Sequence, residues 1–204
     1  MSEITSLYLH GLGREDLRKN ERLILEHNRR KGIAFVPVFI DWRSKESFQQ
    51  LIDRVTNQAT GLLDTIGKLG RFIIQGSSAG GSLAFNVAKQ LDDPRVRAIA
   101  HSGRLREGDF SQNSWRSLES CAHLGTNRAS QSFYDSVLYC EEVTTPSLND
   151  KDKGRMLITK PFADEVVPVS TMTIDGIRTA TMPIIGHSLG IGLGMLRLPS
   201  LIEI

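Results

Sequence analysis

The stretch Phe72–Gly81, FIIQGSSAGG, decides how this chain folds. Phe72-Ile73-Ile74-Gln75 reads as a short strand, and it runs straight into Gly76-Ser77-Ser78-Ala79-Gly80-Gly81. Leu83, Ala84, Val87, Ala88 and Leu91 then follow at helical spacing. The pattern is Gly76-x-Ser78-x-Gly80 between a strand and a helix. A serine at its centre sits on a turn so sharp that its neighbours must be small. Here every neighbour from Gly76 to Gly81 is Gly, Ser or Ala. A Gly-rich turn of this kind can instead hold a phosphate at the helix N-terminus. The G-x-G-x-x-G and G-K-[ST] spacings of such sites are both missing.

The same alternation extends in both directions. Ser6–His10 reads as a strand leading into Gly11-Leu12-Gly13, and Glu15–Lys31 as a charged helix stopped by Gly32. Ile33–Ile40 is almost continuously apolar, as a strand covered on both faces is, and its Pro37 points to an edge or a bulge. Ser44 opens a long helix in which Phe48, Leu51, Ile52, Val55, Ala59, Leu62, Leu63 and Ile66 form one stripe, closed by Gly70. Val96–His101, Met156–Lys160 and Arg178–Ile185 are further strands, and a last helix begins near Ser188. Six strands mostly separated by helices predict an α/β fold. Its three layers are a mostly parallel six-stranded sheet with helices on both faces. Arg104–Gly154 breaks the rhythm: it is polar, with weak helical patches near Trp115–Cys121 and Ser132–Leu138. No linker divides the chain, so residues 1–204 read as one domain.

Composition narrows the function. With 204 residues, 40% hydrophobic and 24% charged, the chain has ordinary globular usage. A net charge of +2 makes no phosphate-binding surface by itself, so nucleic acid is not an expected partner. Cys121 and Cys140 are too few for a disulfide framework or a four-ligand zinc site. No apolar run approaches the 18 residues or so of a membrane span, and the N-terminus lacks a signal-peptide pattern. A cytoplasmic location is the expectation.

A serine hydroxyl needs a base to become a nucleophile. The histidines are His10, His27, His101, His123 and His187. His187 follows Ile184-Ile185-Gly186 at the end of the last strand, so it belongs to the sheet edge that also carries Ser78. The base in turn needs an orienting carboxylate. Asp164, in KPFADEVVPV, falls just past the strand that begins at Met156. Glu165 is adjacent and points elsewhere, and Asp175 lies in the connection to the last strand. The order is Ser78, Asp164, His187, which leaves room for at least one strand–helix unit in each interval.

With these motifs in order, the chain resembles the α/β-hydrolase superfamily over nearly its whole length. GSSAGG matches the nucleophile elbow, ADEVVP the acid loop, IGHSLG the histidine loop, and His10-Gly11-Leu12-Gly13 the early His-Gly motif. The resemblance implies an oxyanion hole made by the backbone N–H groups of Leu12 and Ala79. It also implies a fold without the family's two leading strands, with strand order 2-1-3-4-5-6. Arg104–Gly154 stands where the family inserts its cap, and is expected to form a small cap-like cover over Ser78 that sets substrate choice. A small cap and the motif HGLG, not HGGG, resemble the compact carboxylesterase and acyl-protein thioesterase-like members. The expected activity is a serine hydrolase cleaving a small-molecule carboxylic ester or thioester through an acyl-enzyme, with no cofactor and no metal. A peptidase or amidase on the same three residues stays open, as does a non-catalytic binding protein that keeps the fold.

Overall fold

A computed structural model describes residues 4–12, 19–67, 70–108, 116–123 and 130–202. In chain order these form β1 (Ile4–Leu9), α1 (Lys19–Arg30), β2 (Ile33–Val38), α2 (Phe48–Thr65), β3 (Arg71–Ser77), α3 (Gly80–Leu91) and β4 (Val96–His101). Then come α4 (Leu118–Ala122), α5 (Gln131–Tyr139), α6 (Asp150–Gly154), β5 (Met156–Ala163), β6 (Arg178–Ile185), α7 (His187–Leu196) and α8 (Leu198–Ile202). The six strands make one parallel sheet in the order β2-β1-β3-β4-β5-β6. Pro37 lies in β2 at the edge of that sheet, the position in which a strand tolerates proline.

Strand alternation sorts side chains into two layers. Leu7, Leu9, Phe72, Ile74, Ala98, Ala100, Met156 and Ile158 face the larger core built with α2, α3 and α5. Their neighbours Tyr8, Ile73, Ile99 and Leu157 face the opposite layer, where α1, α7 and α8 contribute Leu25, Met195, Leu198 and Ile202. That second layer also contains a buried polar ladder. Thr159 Oγ1 lies 2.9 Å from His101 Nδ1, His101 Nε2 lies 3.0 Å from Gln75 Oε1, and Gln75 Nε2 donates to Ser6 Oγ at 2.6 Å. One proton arrangement satisfies all four side chains: Thr159 donates to Nδ1 and the imidazole donates from Nε2. Gly194 lets α7 press against this ladder, because a Cβ there would fall 2.8 Å from His101 Nδ1.

The start of α2 differs from the sequence expectation. Ser47, not Ser44, is its cap: Gln50 N–H donates to Ser47 Oγ, and the Gln50 side chain accepts from Ser47 N–H. A reciprocal capping box needs Glu or Gln three residues on, which Ser47 has and Ser44 lacks.

Within the described part of 104–154, α5 lies along α2 and α3, while the N–H groups of Leu105 and Arg106 donate to the Thr171 carbonyl and Arg116 reaches the Asp164 carbonyl. Ser136 Oγ meets Ser82 Oγ at 2.9 Å, and Asn86 Nδ2 donates to the Ser136 carbonyl at 2.9 Å. Phe133 stands edge-on to Trp42 with ring centroids 6.1 Å apart, and Tyr139 tilts over Phe48 at 5.2 Å. These residues pack against the flank of the fold. Gly13, Phe110 and Trp115 lie outside the described residues.

Candidate active site

β3 ends at Ser77 and α3 begins at Gly80, so Ser78 occupies the turn between them. Its φ is +52°, in the left-handed region that a non-Gly residue enters only at a cost. Two backbone bonds hold it there: Ser78 N–H donates to the His101 carbonyl, and Gly81 N–H donates to the Ser78 carbonyl, both at 3.0 Å. Gly76 makes the turn possible, since a Cβ there would fall 2.8 Å from Gly81 N and overlap the Gly80 carbonyl. Ser77 lines the same cavity but is buried, with its Oγ 2.9 Å from the Tyr8 hydroxyl.

β5 delivers Asp164 and β6 delivers His187 to the same edge of the sheet. His187 Nδ1 lies 2.7 Å from Asp164 Oδ2. The other carboxylate oxygen, Oδ1, accepts the N–H groups of Val166 and Val167 at 2.8 Å each. The Asp164 carbonyl accepts from Arg116 at 2.8 Å. An ionised carboxylate only accepts, so Nδ1 carries the proton and Nε2 presents its lone pair. Ser78 and His187 line one cavity with His10, Gly11 and Leu12, and Asp164 stays buried behind the imidazole.

Glu165 has a role that its place beside Asp164 concealed. Both of its carboxylate oxygens accept the His187 backbone N–H, at 3.1 and 3.0 Å. It thereby satisfies the first N–H of α7, where a negative charge is also favoured by the helix dipole. The sequence expectation that it points elsewhere is corrected: it turns toward the histidine's backbone. The sequence carried no signal for this, because the helix whose first N–H it accepts starts 22 residues away.

The His10 imidazole holds the loop that carries Leu12. Nε2 accepts the Ile40 N–H at 2.9 Å, Nδ1 donates to the Gly11 carbonyl at 3.0 Å, and the His10 carbonyl accepts from Trp42 Nε1 at 3.1 Å. Burial lowers its pKa, which matches an imidazole that must keep Nε2 unprotonated to accept. The remaining histidines stand apart. His101 is buried in the ladder, and burial pushes its pKa down to about 3. His27, His123 and Asp175 are exposed and do not line the cavity. Among the described residues, those of 104–154 do not line it either. No cluster of three or more His, Cys, Asp or Glu among the described residues could hold a metal, and no described helix is long and apolar enough to cross a membrane.

No protein-family model matches the sequence, and no curated protein matches it either. Solved structures do. One is a structure of the metagenome-derived lipolytic enzymes LipS and LipT, similar over 99% of this chain and 94% of that one, at 14% identity and a TM-score of 0.63. Alpha/beta hydrolase domain-containing protein 10 from mouse is similar over 98% and 89%, at 14% identity and 0.63. The chain has the α/β-hydrolase fold. A monoacylglycerol lipase from Paleococcus ferrophilus shares that fold over 98% of this chain and 92% of its own, at 13% identity and 0.62. In this α/β-hydrolase arrangement the parallel sheet brings the C-terminal ends of β3, β5 and β6 to one edge, and with them Ser78, Asp164 and His187.

Proposed function

We propose that the protein is a serine hydrolase that cleaves a carboxylic ester or thioester through an acyl-enzyme. Ser78 Oγ attacks the acyl carbon while His187 Nε2 takes its proton. Asp164 holds the imidazole in the required tautomer and stabilises its cationic form. The backbone N–H groups of Leu12 and Ala79 receive the developing oxyanion, each typically worth about 3–4 kcal/mol to the transition state. The alcohol or thiol leaves with the proton from His187. Water, deprotonated by the same nitrogen, then releases the acid and restores Ser78. No cofactor or metal enters either half.

The observation that carries this reading is a pair of geometries opening on one cavity. Ser78 is held at φ +52° on a strand–helix turn, and His187 is bonded to Asp164 at 2.7 Å. The fold neighbours, which carry names of lipolytic enzymes, support an ester before an amide. We read the chain as one hydrolase domain in which 104–154 is a small insertion beside α2 and α3. We also read it as cytoplasmic, where the free thiol of buried Cys140 would stay reduced. Labelling by a fluorophosphonate probe, lost in Ser78→Ala, tests the nucleophile. An ester and thioester panel run beside peptide and amide substrates tests the leaving group. An unlabelled wild-type protein would remove the hydrolase reading, and faster amide than ester turnover would replace the substrate class.

A further inference from the structure

Another cavity lies at the opposite end of the sheet. It sits where β4, β5 and β6 begin, against α8, whereas Ser78, Asp164 and His187 stand past the C-terminal ends of their strands. Strand register explains its lining. Ile99 pairs with Leu157 and Leu157 with Arg178, so these three side chains share one face of the sheet. Arg97, two residues before Ile99 on β4, is on that face too. There Ile99 and Leu157 join the apolar layer with Ile202 of α8, whereas positions 97 and 178 carry guanidinium groups. Lys153, near the end of α6, adds a third cation. Its ammonium lies over Gly176, where a Cβ would fall 3.2 Å from Nζ.

Arg155 also lines the cavity, but its guanidinium is committed to Asp152, Asp92 and the Asp93 carbonyl. Asp152 in turn is held by Lys89 as well as Arg155. Arg97 gives one nitrogen to the Ile202 carbonyl at 3.2 Å. Lys153 and Arg178 have no hydrogen bond or ion pair with any described residue. Among the described residues no carboxylate side chain lines the cavity; the rest of its lining is apolar side chains and two glycines. Three cations thus share one concavity without a counter-charge, an arrangement that an anion relieves. We propose that this cavity binds a small organic anion. Its carboxylate or phosphate head meets Lys153, Arg178 and the remaining nitrogens of Arg97, groups suited to both kinds of oxyanion. Its apolar part rests on the floor that Ile99, Leu157 and Ile202 make. The site goes beyond the hydrolase reading and does not rest on it.

The test is isothermal titration of the full chain with hexyl phosphate and with hexanoate, beside inorganic phosphate and hexanol. One equivalent of at least one organic anion binds, with the same Kd in the wild type and in Ser78→Ala, and the tighter of the two identifies the head group. Inorganic phosphate binds about tenfold more weakly or worse, and hexanol does not bind. The double variant Lys153→Gln, Arg178→Gln weakens the better anion about tenfold or more, and Lys153→Arg keeps it within about threefold. Raising the ionic strength weakens binding in the wild type. A thermal melt confirms that each variant is folded, and each single glutamine variant, expected to weaken binding about threefold, covers a failure of the double variant to fold. If neither organic anion binds the wild type, or if binding survives unchanged in the folded glutamine variants, the site is overturned. Inorganic phosphate or hexanol binding as tightly as hexyl phosphate would overturn the ligand class. None of these readouts uses turnover, so the hydrolase reading stands or falls separately.

Discussion

His187 Nδ1 and Asp164 Oδ2 stand 2.7 Å apart, and the second oxygen of the same carboxylate is already committed to two backbone N–H groups. Asp164 therefore has one oxygen for its own loop and one for the histidine. Swinging the carboxylate away from His187 would also break the turn that follows β5.

Asp164→Asn is expected to lose about 10³–10⁴-fold in kcat without unfolding. The amide oxygen keeps the place that accepts from Val166 and Val167, so the NH2 group faces His187 Nδ1. The imidazole must then put its proton on Nε2, where it cannot accept one from Ser78. Ester turnover and a thermal melt on the same preparation check this. Near-wild-type kcat in the variant would overturn the role given to Asp164.

Glu165→Gln is expected to keep most of the activity, because the amide oxygen still accepts the His187 N–H. Glu165→Ala leaves that N–H without its partner and should cost about 0.5–2 kcal/mol of stability, as loss of a helix cap does. Its kcat falls less than tenfold and its KM stays unchanged, since the backbone and not the imidazole loses its partner. Denaturant titration and steady-state kinetics separate the two effects. A loss in Glu165→Gln as large as in Asp164→Asn would make Glu165 the orienting acid.

Ser78 is held at φ +52°, and left-handed backbone costs a non-Gly residue roughly 1–2 kcal/mol. Ser78→Gly should thus be more stable than Ser78→Ala by about 1 kcal/mol, while both lose turnover. Ser77→Ala should keep turnover, because Ser77 Oγ is engaged by the Tyr8 hydroxyl at 2.9 Å. Equal stability of the Gly and Ala variants in urea would argue against strain at the turn.

What was legible follows from what pattern can encode. The six strands stand out as short apolar runs punctuated by Gly, and a parallel sheet then carries every strand's C-terminus to one edge. That is why the order Ser78, Asp164, His187 already placed the three residues near one another. The partners of Glu165 were not legible, because they depend on a chain reversal at Gly186, whose φ is +111°. The ladder Ser6–Gln75–His101–Thr159 draws one residue from each of four strands, so it exists only once their register is set. His101 looked like another candidate base for that reason. The segment 104–154 has little periodicity, and its aromatics could not be assigned to packing or to substrate until Phe133 met Trp42 and Tyr139 met Phe48.

His101 makes stability depend on pH. Burial holds its pKa at about 3, against about 6.5 for a histidine in an unfolded chain. Between those values the unfolded state binds the extra proton, so stability rises with pH. The contribution is complete above about 6.5 and is lost as pH falls toward 3, by up to about 1.4 kcal/mol for each pH unit. Urea titrations of the wild type and His101→Gln at pH 7 and pH 4.5 read this directly. The stability gap between the two proteins should shrink at pH 4.5, and parallel profiles would show that His101 does not titrate as described.

Phe133 decides what the 104–154 insertion does. It is 2% exposed and stands edge-on to Trp42, at 84° between the ring planes. Trp42 is equally buried, and its Nε1–H is donated to the His10 carbonyl in the loop that carries Leu12. Ser130 at the start of α5 donates its hydroxyl to the Trp42 carbonyl as well. The insertion therefore braces the loop behind the proposed oxyanion hole, and its described residues do not line the cavity. Phe133→Ala should cost about 3–5 kcal/mol of stability. Phe133→Leu, closer in volume, should cost less and leave enough folded protein to assay. In that variant kcat falls for every substrate by the same factor, because a loosened loop weakens the oxyanion contacts without reshaping the cavity. Relative kcat/KM across acyl lengths should match the wild type. A changed chain-length preference in Phe133→Leu would put the insertion against the substrate, as a cover.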